Sequence, residues 1–303
     1  GLNDALTLRG DVLERFERAA ECADERERRR LLTFVIAGAG PTGVEFAGAL
    51  SELFSHLLPK DFPRLDFAPV RVILVEGRSR VLEAFRPRLA AKAADVLRRR
   101  GVELVFGRTV VGADERGIRL DDGTRIESAT VIWTAGVRAS WLGEQLTEKV
   151  GRLGRVAVRP TLQLAGHNEV QVIGDMAELV DRGHTLPMLA PVAIQQGTHA
   201  GRNVIAQLGG GAATPFRYRD KGTMATVGRN HAVVQLGPIR LSGFIGWLMW
   251  LFVHLLYIIT FRSKAVVLLN WAWNYIFYDR PARLITEISP DTGTDTSNEE
   301  ASR

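Results

Sequence analysis

The period of the apolar positions changes several times along the chain. Over residues 4–30, Leu6, Leu13, Phe16 and Ala20 recur at helical spacing. That predicts one helix, with the Glu/Arg-rich stretch 25–30 as a solvated face. An unbroken apolar run at 31–37 then meets a glycine cluster, and a second helix follows over 43–58. Pro59, Pro63 and Pro69 mark the connection to a strand at 71–75, and an amphipathic helix over 87–100 ends on arginines, as suits a helix C-terminus. From 102 to 133 the period falls to two. Short strands are expected at 102–106, 109–112, 117–120 and 124–126, with Asp122-Gly123 as a hairpin turn. Strand–helix alternation followed by a meander predicts an α/β domain with a mostly parallel sheet.

A second change comes after Val137. Residues 151–175 hold two short apolar runs, the second ending in Ile173-Gly174-Asp175; a helix is expected over 191–208 and hairpins over 216–240. Residues 241–278 are intensely apolar, and 286–303 is a polar tail expected to be disordered. Residues 243–261 run for 19 positions without Asp, Glu, Lys or Arg, enough in length to span a bilayer. Yet Gly246, His254, Tyr257 and Thr260 share a face, basic residues flank the run (Arg240, Arg262, Lys264), and 265–278 is too short to span. Trp271, Trp273, Tyr275 and Tyr278 suit a headgroup layer, so the pair predicts helices lying in one leaflet.

Composition narrows the classes further. With 303 residues, 46% hydrophobic and 24% charged, the chain can bury a sizeable core. The net charge is +5, and all but five of the 39 basic residues are Arg. No basic patch is interleaved with aromatics and no zinc-ligand spacing occurs, which argues against a nucleic-acid reader and a metal site. A single cysteine, Cys22, excludes an internal disulfide and a Cys-x-x-Cys redox pair.

The chemistry begins at Gly38, Gly40 and Gly43, a Gly-x-Gly-x-x-Gly directly after the strand and opening the helix. In such a loop the first glycine permits the tight turn, the second lets backbone approach a pyrophosphate, and the third lets helix and strand pack closely. The helix N-terminus then offers N–H groups to phosphates, and Pro41 and Thr42 complete the loop. The second strand ends in Glu76, 33 residues after Gly43; a carboxylate there hydrogen-bonds ribose hydroxyls and favours NAD(H) over NADP(H). A plain strand–turn–helix is the alternative to this dinucleotide site.

In this order the motifs resemble type II NADH dehydrogenases, the non-proton-pumping NADH:quinone oxidoreductases of the two-dinucleotide-fold flavoproteins. The segments that carry the likeness are Pro-Thr-Gly-Val-Glu at 41–45, Thr-Val-Ile-Trp-Thr-Ala-Gly-Val at 130–137, Val-Gln-Val-Ile-Gly-Asp at 170–175, Ala-Pro-Val-Ala-Ile-Gln-Gln-Gly at 190–197, and Lys-Gly-Thr-Met-Ala-Thr-Val-Gly-Arg at 221–229. The resemblance implies a Rossmann-like NADH-binding domain with a β meander, a partial FAD domain and an apolar helical membrane anchor. Its implied divisions are a linker helix (1–30), the NADH domain (31–137), the C-terminal part of the FAD domain (138–240), anchoring helices (241–285) and the tail (286–303). The family's first Gly-x-Gly-x-x-Gly, which grips the FAD pyrophosphate, has no counterpart here, so the N-terminal half of the FAD domain is expected to be missing and the chain inactive as it stands.

The same resemblance implies hydride transfer from NADH to FAD and then two electrons to a membrane quinone. Glu45 would lie near the nicotinamide and relay a proton, or simply match the helix dipole. Ala135 and Gly136 would border the cofactor, Gly174 and Asp175 would hold the ribityl chain, and Gln195 and Gln196 would touch flavin or quinone. Gln195 joins Glu45 as a catalytic candidate. His184 and His199 read as polar contacts. Proton pumping needs several spans with buried ionisable groups, which the chain lacks. Expected partners are NADH, a membrane quinone, the cytoplasmic face of the cell membrane and a second copy in a homodimer. The alternatives are a membrane-tethered NAD(H)-binding module without flavin, or another reductase such as a ferredoxin reductase; a sulfide:quinone oxidoreductase would need more cysteines than Cys22.

Overall fold

A computed structural model describes residues 2–147, 149–258 and 260–277. The predicted tail at 286–303 and Tyr278 lie outside the described residues. The chain forms two compact units: Gly1–Trp133 with Ala225–Val233 and Ser242–Arg303, and Thr134–Met224 with Val234–Leu241. The units part at 133/134 and 241/242, four residues and one residue from the divisions expected at 137/138 and 240/241, and residues 225–233 also group with the first unit.

The first unit is built on a parallel sheet. Strands β1 (Thr33–Ala37), β2 (Arg71–Glu76), β3 (Val102–Phe106) and β7 (Thr130–Trp133) lie in the order β3-β2-β1-β7, each pairing parallel with its neighbour. Every residue of β1 is buried, as expected of a strand covered on both faces. Alternation decides which face each side chain serves. Phe34 and Ile36 join the core beneath the helices α1 (Leu2–Glu21), α3 (Pro41–Glu52) and α5 (Pro87–Arg99), while Val35, with Ile73 and Val75, packs on Ile118 and Leu120 of the meander. That meander is antiparallel: β4 (Val110–Asp114), β5 (Gly117–Leu120) and β6 (Arg125–Glu127).

Several elements differ from their predicted bounds. The helix expected over 4–30 is two, α1 and α2 (Glu25–Leu31), because the Asp24 side chain accepts the N–H groups of Arg26 and Glu27 and so starts a new helix. The helix expected over 43–58 starts at Pro41, where Pro suits the first turn. It ends at Glu52 and widens into a π turn over Leu53–Leu57 before α4 (Leu58–Asp61). Pro59 has no N–H to offer the carbonyl four residues back, which explains the widened turn.

The apolar stretch also breaks. Helix α8 (Gly243–Tyr257) ends before α9 (Phe261–Phe277), and the Thr260 hydroxyl accepts the Ser263 N–H in the manner of an N-cap. The 15 residues of α8 extend about 22 Å at 1.5 Å each, short of a ~30 Å hydrocarbon core. Among the described residues, no helix is long and apolar enough to cross a membrane. The uninterrupted run at 243–261 is therefore not one helix.

The second unit holds α6 (Leu142–Leu146), α7 (Ala190–Leu208) and short strand pairs around two small cores. The strands are β8 (Val156–Ala157), β9 (Gln163–Leu164), β10 (His167–Gln171), β11 (Ala177–Glu178), β12 (Val180–Asp181) and β13 (His184–Thr185). The hairpins expected over 216–240 resolve into β14 (Thr223–Thr226), β15 (Ala232–Leu236) and β16 (Ile239–Ser242), whose residues are divided between the units. Residues 216–222 stay irregular, held in part by the Asp181 carboxylate on Arg217 and the Tyr218 N–H.

Candidate functional site

In the first unit the glycine loop joins β1 to α3. Gly38 sits at φ +102, a conformation that side chains rarely adopt. A Cβ built on Gly40 meets nothing within 4 Å, so its outer side is open to a ligand. Gly40 is the N-cap of α3 without a side-chain cap, Pro41 carries no N–H, and Thr42 and Gly43 present first-turn N–H groups that the helix itself does not use. The sequence places Glu76 at the same edge, and the structure shows how it is held. One carboxylate oxygen accepts the Ala39 N–H at 2.8 Å, and the other accepts the Arg78 N–H at 2.9 Å. The acid therefore braces the loop as well as standing at the strand end.

Glu45 lies one turn into α3 and is half-buried. Its Oε1 accepts the Thr226 N–H at 3.0 Å. Burial lifts its carboxyl above the usual range, against the lowering pull of the Thr226 hydrogen bond and of His254. Thr226 also lines a cavity of about 680 Å³ between α8 and α9, walled by Trp247, Trp250, Trp271 and Tyr275. His254 stacks on Trp250 at 3.8 Å and its Nδ1 lies 2.7 Å from the Trp250 carbonyl. A single residue thus joins the dinucleotide helix to an aromatic cavity.

Two features of this unit escape the sequence reading. A Cβ on Gly48 would come within 2.7 Å of the Gly228 nitrogen, so α3 packs directly on the turn after β14. Farther along, the Glu52 carboxylate accepts from the Arg100 guanidinium and the Arg229 N–H, and Arg229 stacks over Tyr275 at 4.3 Å. Gly48 sits among small residues, Ala47 and Ala49, that look like ordinary helix formers; nothing local marks its partner 180 residues on.

In the second unit, Ala135 and Gly136 are exposed, and Gly136 takes φ +93 with open space where a Cβ would be. Gly174 also takes a left-handed turn, φ +68, and its N–H is held by Gln196 Oε1 at 2.7 Å; Gln196 is 1% exposed. Asp175 is exposed beside it and makes no hydrogen bond or ion pair among the described residues. Gln195 spends both ends of its amide on Arg219, donating to its carbonyl at 3.0 Å and accepting its N–H at 3.1 Å. His199 binds the Thr214 carbonyl at 2.8 Å. Both side-chain amide atoms of Gln171 are buried without a partner in the described structure. Gly174, Asp175 and Gln196 are brought together, and Gln195 is turned toward another segment.

Residues 3–197 match the pyridine nucleotide-disulphide oxidoreductase family, and residues 221–278 match the NDH2 C-terminal domain. The type II NADH:quinone oxidoreductase Ndh of Mycobacterium tuberculosis is 42% identical over 297 residues, which cover 94% of this chain and 63% of that protein. NdhA of the same organism, also a type II NADH:quinone oxidoreductase, is 37% identical over 298 residues with the same shares. The chain thus spans about 63% of the length of these curated relatives. The structure of NDH2 from Plasmodium falciparum in complex with NADH superposes with a TM-score of 0.84 at 15% identity, covering 93% of this chain and 73% of that one. At that identity the likeness establishes a shared fold.

Proposed function

The chain belongs to the pyridine nucleotide-disulphide oxidoreductase family and carries the NDH2 C-terminal domain, and from that premise we propose that it forms the NADH-binding and quinone-side portion of a type II NADH:quinone oxidoreductase. One observation carries the reading: Glu45, on the helix that follows the dinucleotide loop, is bonded to Thr226, which lines an aromatic cavity. The nucleotide end and the apolar end of the reaction meet at that carboxylate.

NADH would set its pyrophosphate against the Thr42 and Gly43 N–H groups, with Gly40 leaving room for it. The spare lone pairs of Glu76 would take ribose hydroxyls. FAD, when bound, supplies the two-electron step between nicotinamide and quinone. Its ribityl hydroxyls would be met by the exposed Asp175 carboxylate, beside the backbone turn that Gln196 holds at Gly174. The orphaned amide of Gln171 fits a polar group not contributed by this chain. Ala135 and Gly136 would border the same cofactor. Glu45 would hold and pass on a proton at its carboxyl, whose affinity for that proton burial raises above the ordinary carboxylate range. Gln195 would reach flavin or quinone only by releasing Arg219.

The exposed apolar side chains of α8 and α9, among them Phe244, Ile245, Leu248, Phe252 and Leu269, would lie in one leaflet at the cytoplasmic face of the cell membrane. The aromatic cavity between these helices would give a long-tailed quinone an apolar approach. The test is NADH oxidation coupled to quinone reduction by the gene product that includes these 303 residues, supplied with FAD. E45Q should lower the quinone-reduction rate while leaving NADH affinity intact. A protein that holds NADH but passes no electrons to flavin or quinone would favour the flavin-free binding module instead.

A further inference from the structure

A second, smaller cavity, which shares no lining residue with the aromatic one, lies at the start of α8. It encloses about 310 Å³ between α5, the segment around His231, and Ser242 with Gly243. Its charge follows from helix geometry. Lys92 and Arg99 are seven residues apart on α5, two turns on one face, and both line the cavity with His231. The Lys92 ammonium spends one of its three donors on Ser242 Oγ at 2.8 Å, and Arg99 makes no hydrogen bond or ion pair among the described residues. His231 turns its Nδ1 toward the Arg229 carbonyl at 3.2 Å, leaving the other ring nitrogen available. The carboxylate on this wall, Asp95, is held by Arg98 at 3.2 Å.

Two cationic side chains with donors to spare around a small cavity suit a phosphate. What lies at its rim says which kind. Gly243 lines the cavity and begins α8, and the next two side chains, Phe244 and Ile245, are 48% and 60% exposed. A cationic recess continuous with an apolar surface matches an amphiphile, charged at one end and apolar at the other. We infer that the Lys92–Arg99–His231 cavity binds the phosphodiester headgroup of an anionic phospholipid, with its acyl chains along the exposed face of α8. This rests on the membrane attachment proposed above and adds to it a lipid preference and the residues that set it.

The test is flotation of the full chain with vesicles of phosphatidylcholine alone and of phosphatidylcholine mixed with phosphatidylglycerol. A basic residue near an anionic surface strengthens binding about five-fold, so K92Q/R99Q should lose about 25-fold in affinity for the mixed vesicles. R99Q alone should lose about five-fold, and neither variant should change binding to phosphatidylcholine. R116Q/R119Q removes the same net charge from exposed positions outside the cavity and should lose less than two-fold on the mixed vesicles. Inorganic phosphate, titrated without lipid, should neither bind saturably nor displace the chain from vesicles. Equal losses in K92Q/R99Q and R116Q/R119Q would overturn the site and leave only bulk attraction. Saturable binding of inorganic phosphate would overturn the lipid as its occupant. A wild-type chain that floats equally with both vesicles would overturn the headgroup preference while membrane attachment stands. One that floats with neither would overturn attachment and site together.

Discussion

Exchanging Glu76 for glutamine tests the nucleotide end at two levels. The carboxylate accepts two backbone N–H groups, one through each oxygen, from Ala39 at 2.8 Å and Arg78 at 2.9 Å. An amide has one acceptor oxygen, and its other end is itself a donor, so E76Q keeps at most one of the two bonds. A hydrogen bond to a charged group contributes roughly 1.5–3 kcal/mol, and the nucleotide-free protein should lose about that much stability. The same magnitude applied to a ribose hydroxyl weakens NADH about 10- to 150-fold. NADPH should lose less, because the change also removes a negative charge that repels its 2′-phosphate. Calorimetric titration with both nucleotides, beside denaturant melts without nucleotide, separates the two effects. Unchanged NADH affinity and an unchanged NADH/NADPH ratio would refute the ribose role. Unchanged nucleotide-free stability would refute the brace on the loop.

Further outcomes follow from other contacts. Burial raises the Glu45 carboxyl in the folded state, so its contribution to stability is fully present below the ordinary value near 4.5 and is lost as pH rises through the raised one. E45Q should therefore melt higher than wild type at about pH 7 and lose that advantage toward about pH 4; a difference that does not vary with pH would contradict it. G48A forces a Cβ against the backbone of Val227 and Gly228, at 2.9 and 2.7 Å, and should cost about 1–3 kcal/mol in denaturant melts. A neutral G48A would mean that the helix and turn are not so closely packed. F16A empties the centre of an aromatic cluster and should cost about 3–5 kcal/mol, where an exposed position on the same helix, such as Glu17, should cost almost nothing.

Much of the dinucleotide unit could be read from the chain, because its signals are local. The buried run at 31–37, the spacing of Gly38, Gly40 and Gly43, and the acid at Glu76 each depend on residues a few positions apart. The strands of the meander were legible for the same reason: alternation and Asp122-Gly123 define a hairpin without knowledge of the rest. What the sequence withheld was of two kinds. Helix boundaries at Asp24, Pro59 and Thr260 were set by single side-chain or missing N–H groups inside stretches whose apolar period continues across them. Contacts such as Glu45 to Thr226 and Glu52 to Arg229 join positions more than 170 residues apart, and no local pattern announces them. Gln195 shows the limit at the second unit. Its place beside Gln196 in the sequence suggests a shared task, but neighbours on a helix point about 100° apart, and the two amides serve different segments.

Phe16 changes how the nucleotide unit can be cut out of the chain. The sequence assigns it to a linker, yet its ring is 0% exposed and packs against those of Phe34, Phe54, Phe62 and Phe67 at 5.1–5.9 Å. A fragment begun at residue 31, just ahead of β1, would leave four phenylalanine rings facing water, a sticky patch on an otherwise charged surface. One begun at α1 keeps the plug in place. The segment that looks like a tether is the stopper of the core, and excised nucleotide-binding fragments should be soluble only when they include it.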